Sequence, residues 1–255
     1  LIFLLVNYSS RNLTQFSNGE NVRIADATYS VIDLETTGFD AAIEKVVEFA
    51  SIDFKLHGSR EIRDSLLNPS KPISIESKSV HNITDRMVEG KPTLEEFLAT
   101  YQFKADVYVA HQAEFDFKFV PPPGLMLCTR RLAMKMWPDL TKSNNNYLRY
   151  FLGLDEIPEL DNIKTHRAVA DAMITSYNLE KMLDQLLAQQ PDMQIEDVIS
   201  WTNTPIFQKY IQFGKYKGQE WCNVPGDYMD WIKKNMTNLD PDTLHTLNAY
   251  MNQPF

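Results

Sequence analysis

The sequence predicts an α/β fold, a mixed sheet flanked by helices with a small C-terminal α/β extension, and three observations carry that expectation. Segments of alternating or continuous apolar character crowd residues 29–67. Strand-like and helix-like stretches alternate after them, and a run of apolar residues at helical spacing follows His166.

Taken in order, residues 1–26 open on the apolar LIFLLV, turn polar, and read as a tail or an added edge strand. From Ala27 the period is two: Tyr29, Val31, Asp33 and Glu35 alternate with Ser30, Ile32 and Leu34, a strand that Gly38 ends. VVEFASIDFKL (46–56) is a second strand and residues 61–67 a third. Pro69 and Pro72 break the chain before a short helical stretch ending near HNIT (81–84). Thr93 caps a helix to about Tyr101, DVYVAH (106–111) is a short buried strand, and LMLCT (125–129) is another. Helices are expected over roughly 130–136 and 143–152, and the helix after His166 aligns Val169, Ala172, Met173, Leu179, Leu183 and Leu186 on one stripe. Gln190-Pro191 ends this unit, so the expected division is a tail (1–26), a main domain (27–190) and an extension (191–255). The extension has a turn-rich FGKYKG (213–218) and helices from Pro225 and Pro241, the second capped by Asp240.

Composition narrows the function classes. With 34 acids against 25 bases the net charge is −9, which argues against broad adhesion to nucleic acid. Charge is unevenly placed, however: residues 128–149 hold Arg130, Arg131, Lys135, Lys142 and Arg149 against Asp139 alone. Any polyanion is therefore expected to bind locally. Cys128 and Cys222 have no histidine at ligand spacing, so a zinc site is not expected and free thiols in a reducing compartment are. LIFLLV is too short to span a bilayer, no basic stretch precedes it, and the expected setting is cytoplasmic. Asn7 and Asn12 fit the glycosylation triplet, a pattern that chance supplies easily.

Three acidic clusters carry the chemistry. Asp33 and Glu35, two apart on a strand, leave the same face with Cα atoms about 6.5–7 Å apart. That suits carboxylates shared between two metal ions ~4 Å apart. Alone, such a pair in so acidic a chain reads as two solvent-facing side chains. Here the strand is otherwise apolar, and Thr36, Thr37 and Gly38 follow, as hydroxyls and a permissive backbone do near a bound nucleotide. Asp116 lies between Phe115 and Phe117, either an acid buried for a purpose or one favoured by a helix N-terminus. His166 and Asp171 are five apart, ~140° around a helix, so both serve one site only if the helix starts near Arg167 and leaves His166 on the preceding loop. Four carboxylates from three places have one efficient use, holding two hard divalent ions, Mg²⁺ or Mn²⁺, with a histidine beside them to deprotonate water.

Together these segments resemble the DEDDh branch of the 3′→5′ exonucleases, over about residues 27–190, with three motifs in order. The resemblance implies a ribonuclease H-like fold. It places metal-binding acids on Asp33, Glu35, Asp116 and Asp171 and the general base on His166. It implies nucleotide contacts from the segments holding Thr36, Thr37, Phe39, His81, His111 and Phe115, Phe39 as an aromatic that stacks on the last base. Residues 128–151, and FGKYKG with the DYMDWI that follows, are similar to one subgroup of that branch. Gln112 departs from the family's usual Asn, which affects the loop more than the chemistry. The implied substrates are DNA 3′ ends, single-stranded or frayed from a duplex, and the product a 5′-mononucleotide. Activity is expected to rise with pH as the base loses its proton. Lys215 and Lys217 and the 128–149 bases are candidate phosphate contacts, or simply a solvated face. Two rival readings remain: an exonuclease acting on RNA, which the 2′-hydroxyl would distinguish, and a catalytically silent nucleic-acid-binding module. The five intact polar groups argue against the second.

Overall fold

A computed structural model describes residues 22–252 apart from Asn162 and Lys164; most of the expected tail, LIFLLV, Asn7 and Asn12 included, lies outside the described residues. Five strands form one sheet: β1 (Tyr29–Thr36), β2 (Val46–Phe54), β3 (Glu61–Leu66), β4 (Val107–Ala110) and β5 (Leu125–Cys128), in the order β3-β2-β1-β4-β5. β1 to β3 are antiparallel neighbours, whereas β4 runs parallel to β1 and β5 parallel to β4. The mixed sheet expected from the sequence is present, with every strand in place.

The period of β1 decides what each face does. Tyr29 and Val31 enter a large core with Ala50, Ile52, Val107 and Val109, roofed by α5 (Thr129–Met136), α6 (Asn145–Phe151) and α7 (Ala168–Gln189). Ile32 and Leu34 point the other way, into a core with Phe49, Tyr108 and Phe117, the last from α4 (Ala113–Phe119). Asp33 and Glu35 thus share the side of Tyr29 and Val31, which α7 covers. The 69–106 crossover carries α1 (Ile75–His81), α2 (Asp85–Val88) and α3 (Leu94–Leu98). Thr93 begins α3 with a reciprocal capping box to Glu96, and the helix stops at Leu98, short of the expected Tyr101.

Two boundaries differ from expectation. Residues 22–26 are no tail: Arg23 bridges Gln194, Ile24 N–H donates to Met193 O at 3.0 Å, and Ile24 is fully buried in the main core. The seam at Gln190-Pro191 also moves. The helix α8 (Ile195–Asn203) sends Ile195, Val198 and Ile199 into the main core, so the change of core falls after Asn203. The extension beyond it has its own small core of Ile211, Trp221, Val224, Met229, Ile232 and Leu247, built from α9 (Gly226–Asn235) and α10 (Pro241–Met251). Its β content among the described residues is one bridge, Tyr210 to Glu220. Asp240 Oδ1 caps α10, accepting from Thr243 N–H at 3.0 Å as expected.

FGKYKG is a tight loop over that core. Gly214 has φ +68°, and a Cβ there would stand 2.3 Å from Tyr228 Oη. Gly214→Ala is expected to destabilise the extension by more than about 1 kcal/mol, through strain and through displacing Tyr228. Denaturant unfolding followed by tryptophan fluorescence checks this; unchanged stability would mean that Tyr228 moves aside freely. Among the described residues no helix is long and apolar enough to cross a membrane.

Candidate active site

The end of β1 and the first turn of α7 meet over the sheet. One carboxylate oxygen each from Asp33, Glu35 and Asp171 lies within 4.8 Å of the others, close enough for a shared cation. Asp116 is outside that triplet but adjacent: it is 5% exposed on α4, and backbone hydrogen bonding from Leu34 pulls against the rise in its pKa. Burial, more than any neighbour, pushes these acids up. Asp33 is held well above the usual carboxylate range by burial first, then by the charges of Asp116, Asp171, Glu35 and Glu48. Glu35 rises to about 8 and Asp116 to about 7, each chiefly from burial, and Asp171 rises too. Carboxylates gathered against their own repulsion, with no lysine or arginine acting on them among the described residues except Arg167 at the margin, are a donor set that fits hard divalent cations.

The helix geometry falls as the sequence required. α7 starts at Ala168, leaving His166 exposed on the loop before it. His166 has φ +63°, uncommon for a residue with a Cβ, and its backbone N–H donates to Asp171 Oδ2 at 2.7 Å. Asp171 therefore holds the strained turn that carries the histidine.

What fixes this turn was not legible beforehand. Glu48 of β2, paired in register with Glu35, is 1% exposed. It accepts from Arg167 Nε at 3.0 and 3.1 Å, from Arg167 Nη2, and from Ala168 N–H at 2.8 Å, capping α7 from the neighbouring strand. The signal was present: Glu48 is the one acid in the otherwise apolar VVEFASI. From the opposite side Asn145 donates to Asp171 O at 2.9 Å and accepts from Asn178 at 2.8 Å. Arg167→Met would leave Glu48 with the Ala168 N–H but without its cation, and because Arg167 is 37% exposed the expected cost is about 1–3 kcal/mol. Urea unfolding measures it; a loss under 1 kcal/mol would show the pair to be dispensable.

The expected nucleotide contacts divide. Phe39 is 91% exposed and meets Phe115 edge-on at 6.1 Å, an aromatic pair at the mouth of the site. Thr36 and Thr37 are buried, and their hydroxyls bind their own loop: Thr36 Oγ1 donates to Gly38 O at 2.7 Å, and Thr37 Oγ1 to Glu44. A Cβ at Gly38 would stand 2.9 Å from the Glu44 side chain, which would have to shift and disturb its bonds to Thr37 and Lys71. His81 is 1% exposed, its Nδ1 accepting from Ile83 N–H at 2.9 Å. His111 contacts Thr129 Oγ1 at 3.0 Å and Ser143 O at 2.8 Å, and burial lowers its pKa to about 4. Thr36, Thr37 and His81 are thus buried, His111 is partly so, and each makes a hydrogen bond that shapes the loops around the site. Of the basic run, Arg131 is taken by Asp242 at 2.8 Å and Lys135 by Thr204 Oγ1 at 2.7 Å, and Arg149 is buried, which leaves Arg130 and Lys142 exposed.

Acids of β1 and α7 meeting over a mixed sheet of this order, with Asp116 of α4 buried beside Asp33, make a carboxylate site on a ribonuclease H-like α/β fold. The model of the Exonuclease family matches residues 30–179, and the chain belongs to that family. It is 31% identical over 227 residues to exodeoxyribonuclease 10 of Escherichia coli (strain K12), covering 87% of this chain and 97% of that protein. It is 33% identical over 178 residues to the DNA polymerase III subunit epsilon of Aquifex aeolicus (strain VF5), covering 64% of this chain and 84% of that one. The structure of exonuclease X in complex with 5′ overhanging duplex DNA superposes with a TM-score of 0.57 at 31% identity, covering 69% of this chain and 99% of that one.

Proposed function

We propose that the chain removes nucleoside 5′-monophosphates from DNA 3′ ends, with Asp33, Glu35, Asp116 and Asp171 holding two Mg²⁺ or Mn²⁺ ions and His166 as general base. The observation that carries this reading is the convergence of Asp33, Glu35 and Asp171 within 4.8 Å in a member of the Exonuclease family. Bound there, such ions would supply Lewis-acid stabilisation of charge on the scissile phosphate and the leaving 3′ oxygen. The protein contributes the rest. The buried and half-buried carboxylates would hold such ions, while Glu48 and Arg167 set the turn that presents His166. From that turn His166 takes the proton of the attacking water. Phe39 and Phe115 offer faces on which the terminal base stacks regardless of its identity.

DNA is preferred over RNA because the named relatives act on, or are bound to, DNA. Free thiols at Cys128 and Cys222 fit a reducing, cytoplasmic setting. The test is release of mononucleotides from 5′-labelled DNA and RNA oligonucleotides, with Mg²⁺ and with EDTA. A ladder shortening from the 3′ end of DNA only with Mg²⁺ is expected. Equal or faster loss of RNA would move the substrate to RNA, and no metal-dependent cleavage of either would leave a binding module.

A further inference from the structure

A cleft of about 800 Å³ lies between the outer face of α4, with the loop after β1, and the C-terminal extension. It begins at Phe39, Gln112 and Phe115, passes between residues 128–143 and residues 206–213, and ends at 240–243. Its two walls are locked together. Arg131 donates to the carbonyls of Thr202 and Thr204 at 2.9 and 3.0 Å and to Asp242 at 2.8 and 3.2 Å, and Ile206 N–H donates to Asp242 at 2.8 Å. The extension is therefore a fixed wall of the cleft.

We infer that this cleft holds the single-stranded stretch of substrate immediately 5′ to the nucleotide being removed, a role that rests on the nuclease function proposed above. Three features select that occupant. One end of the cleft is lined by Phe39, on the loop that follows β1, and by Phe115, next to Asp116 on α4, so a strand whose 3′ end lies at the carboxylates would enter it past these two rings. Although the whole chain carries −9, the lining is cationic: Lys118, Arg130, Lys142 and Lys209 face it, against Glu114 and Asp240 once Arg131 and Asp242 neutralise each other. Asp240 is itself engaged as the α10 cap. Finally, exposed aromatic rings stand at both ends, Phe39 at the mouth and Phe207, 41% exposed, on the extension. Cations that track phosphates with aromatic faces for bases are the chemistry of a sequence-tolerant single-strand groove. Lys209 pairs with Asp139 at 3.2 Å and with Glu220 at 3.7 Å, both exposed partners, and such surface pairs give way to a phosphate at little cost.

The experiment compares kcat/KM on a twelve-residue oligothymidylate with kcat/KM on thymidine 5′-(p-nitrophenyl phosphate), which fills only the terminal position. The Lys142→Ala/Lys209→Ala double variant is expected to lower the ratio of the two at least tenfold. Oligonucleotide binding should lose salt dependence by about 1.4 in the log–log slope, two contacts at ~0.7 each. An active wild type with a ratio and slope unaltered in the variant overturns the inference alone and leaves the cleft to another occupant. A wild type inert on both substrates overturns the nuclease reading and this inference with it.

Discussion

Asp33→Asn is expected to abolish hydrolysis and, in metal-free protein, to raise the melting temperature. Asp33 stands amid the charges of Asp116, Asp171, Glu35 and Glu48. Removing it takes away a ligand and should lower turnover on the order of a thousandfold or more, ~4 kcal/mol of transition-state stabilisation. The stability effect has the opposite sign. A carboxyl whose pKa is raised by folding stabilises the fold while protonated, and that contribution is lost as pH rises through the folded value. Glu35 at about 8 and Asp116 at about 7, with Asp33 and Asp171 also raised, set the window. Metal-free protein should therefore lose stability from about pH 4 to pH 8. Mg²⁺ or Mn²⁺ should restore it, more at pH 8 than at pH 5, because binding must displace fewer protons there. In EDTA at pH 8, Asp33→Asn should melt at least ~2 °C above wild type, the shift that about 1 kcal/mol produces in a chain of this size. Differential scanning calorimetry across pH decides it. A variant that melts lower, or a wild type indifferent to pH and metal, would show that these acids do not repel one another as described.

His166→Ala separates chemistry from assembly. His166 lies on an exposed loop, and its attachment to the site is through the backbone: its N–H to Asp171 at 2.7 Å, with Arg167 next to it anchored on Glu48. Alanine keeps that N–H, so the turn and the carboxylates should survive. Loss of a general base lowers turnover about 10²–10⁴-fold, and metal affinity and KM should change little. Rapid-quench turnover with parallel oligonucleotide binding checks both halves. Wild-type turnover would remove His166 from the mechanism; a large loss of metal binding would make it a ligand or a structural element instead. Its φ of +63° adds a control, since His166→Gly suits the turn better and should be no less stable than His166→Ala.

Much of this was written into the sequence, and where it was not, the reason is local. β1 was legible because its period of two sets Asp33 and Glu35 on the side of Tyr29 and Val31. A helix start near Arg167 was the condition for His166 and Asp171 to serve one site, since both cannot do so from inside a helix, and α7 starts at Ala168. AEFDFKF (α4) is seven residues, too few to display a helical period, so the sequence leaves Asp116 between an acid buried for a purpose and one at a helix N-terminus, whereas the structure has it both buried and in the first turn. The helix α8 was hidden by the loop-like QPDMQ before it, and its Ile195, Val198 and Ile199 were assigned to the wrong core. Glu48 was read as strand and nothing more. A lone buried acid has a partner that sequence cannot name, and Arg167 lies 119 residues away. The same limit applies to Thr36, Thr37, His81 and His111: their residue types suit nucleotide contact, but only coordinates reveal their hydrogen bonds with Gly38, Glu44, Ile83 and Ser143. The expected path for phosphates narrowed likewise, from five bases between residues 128 and 149 to Arg130 and Lys142, because Arg131 and Lys135 hold the extension in place.

The central claim is that Asp33, Glu35, Asp116 and Asp171 bind divalent ions together, and diffraction at the manganese edge from Mn²⁺-soaked crystals tests it most directly. Two anomalous peaks bounded by those four carboxylates are predicted, at least one of them lost in Asp116→Asn. Absence of peaks at saturating Mn²⁺, or peaks that avoid this cluster, would contradict the account.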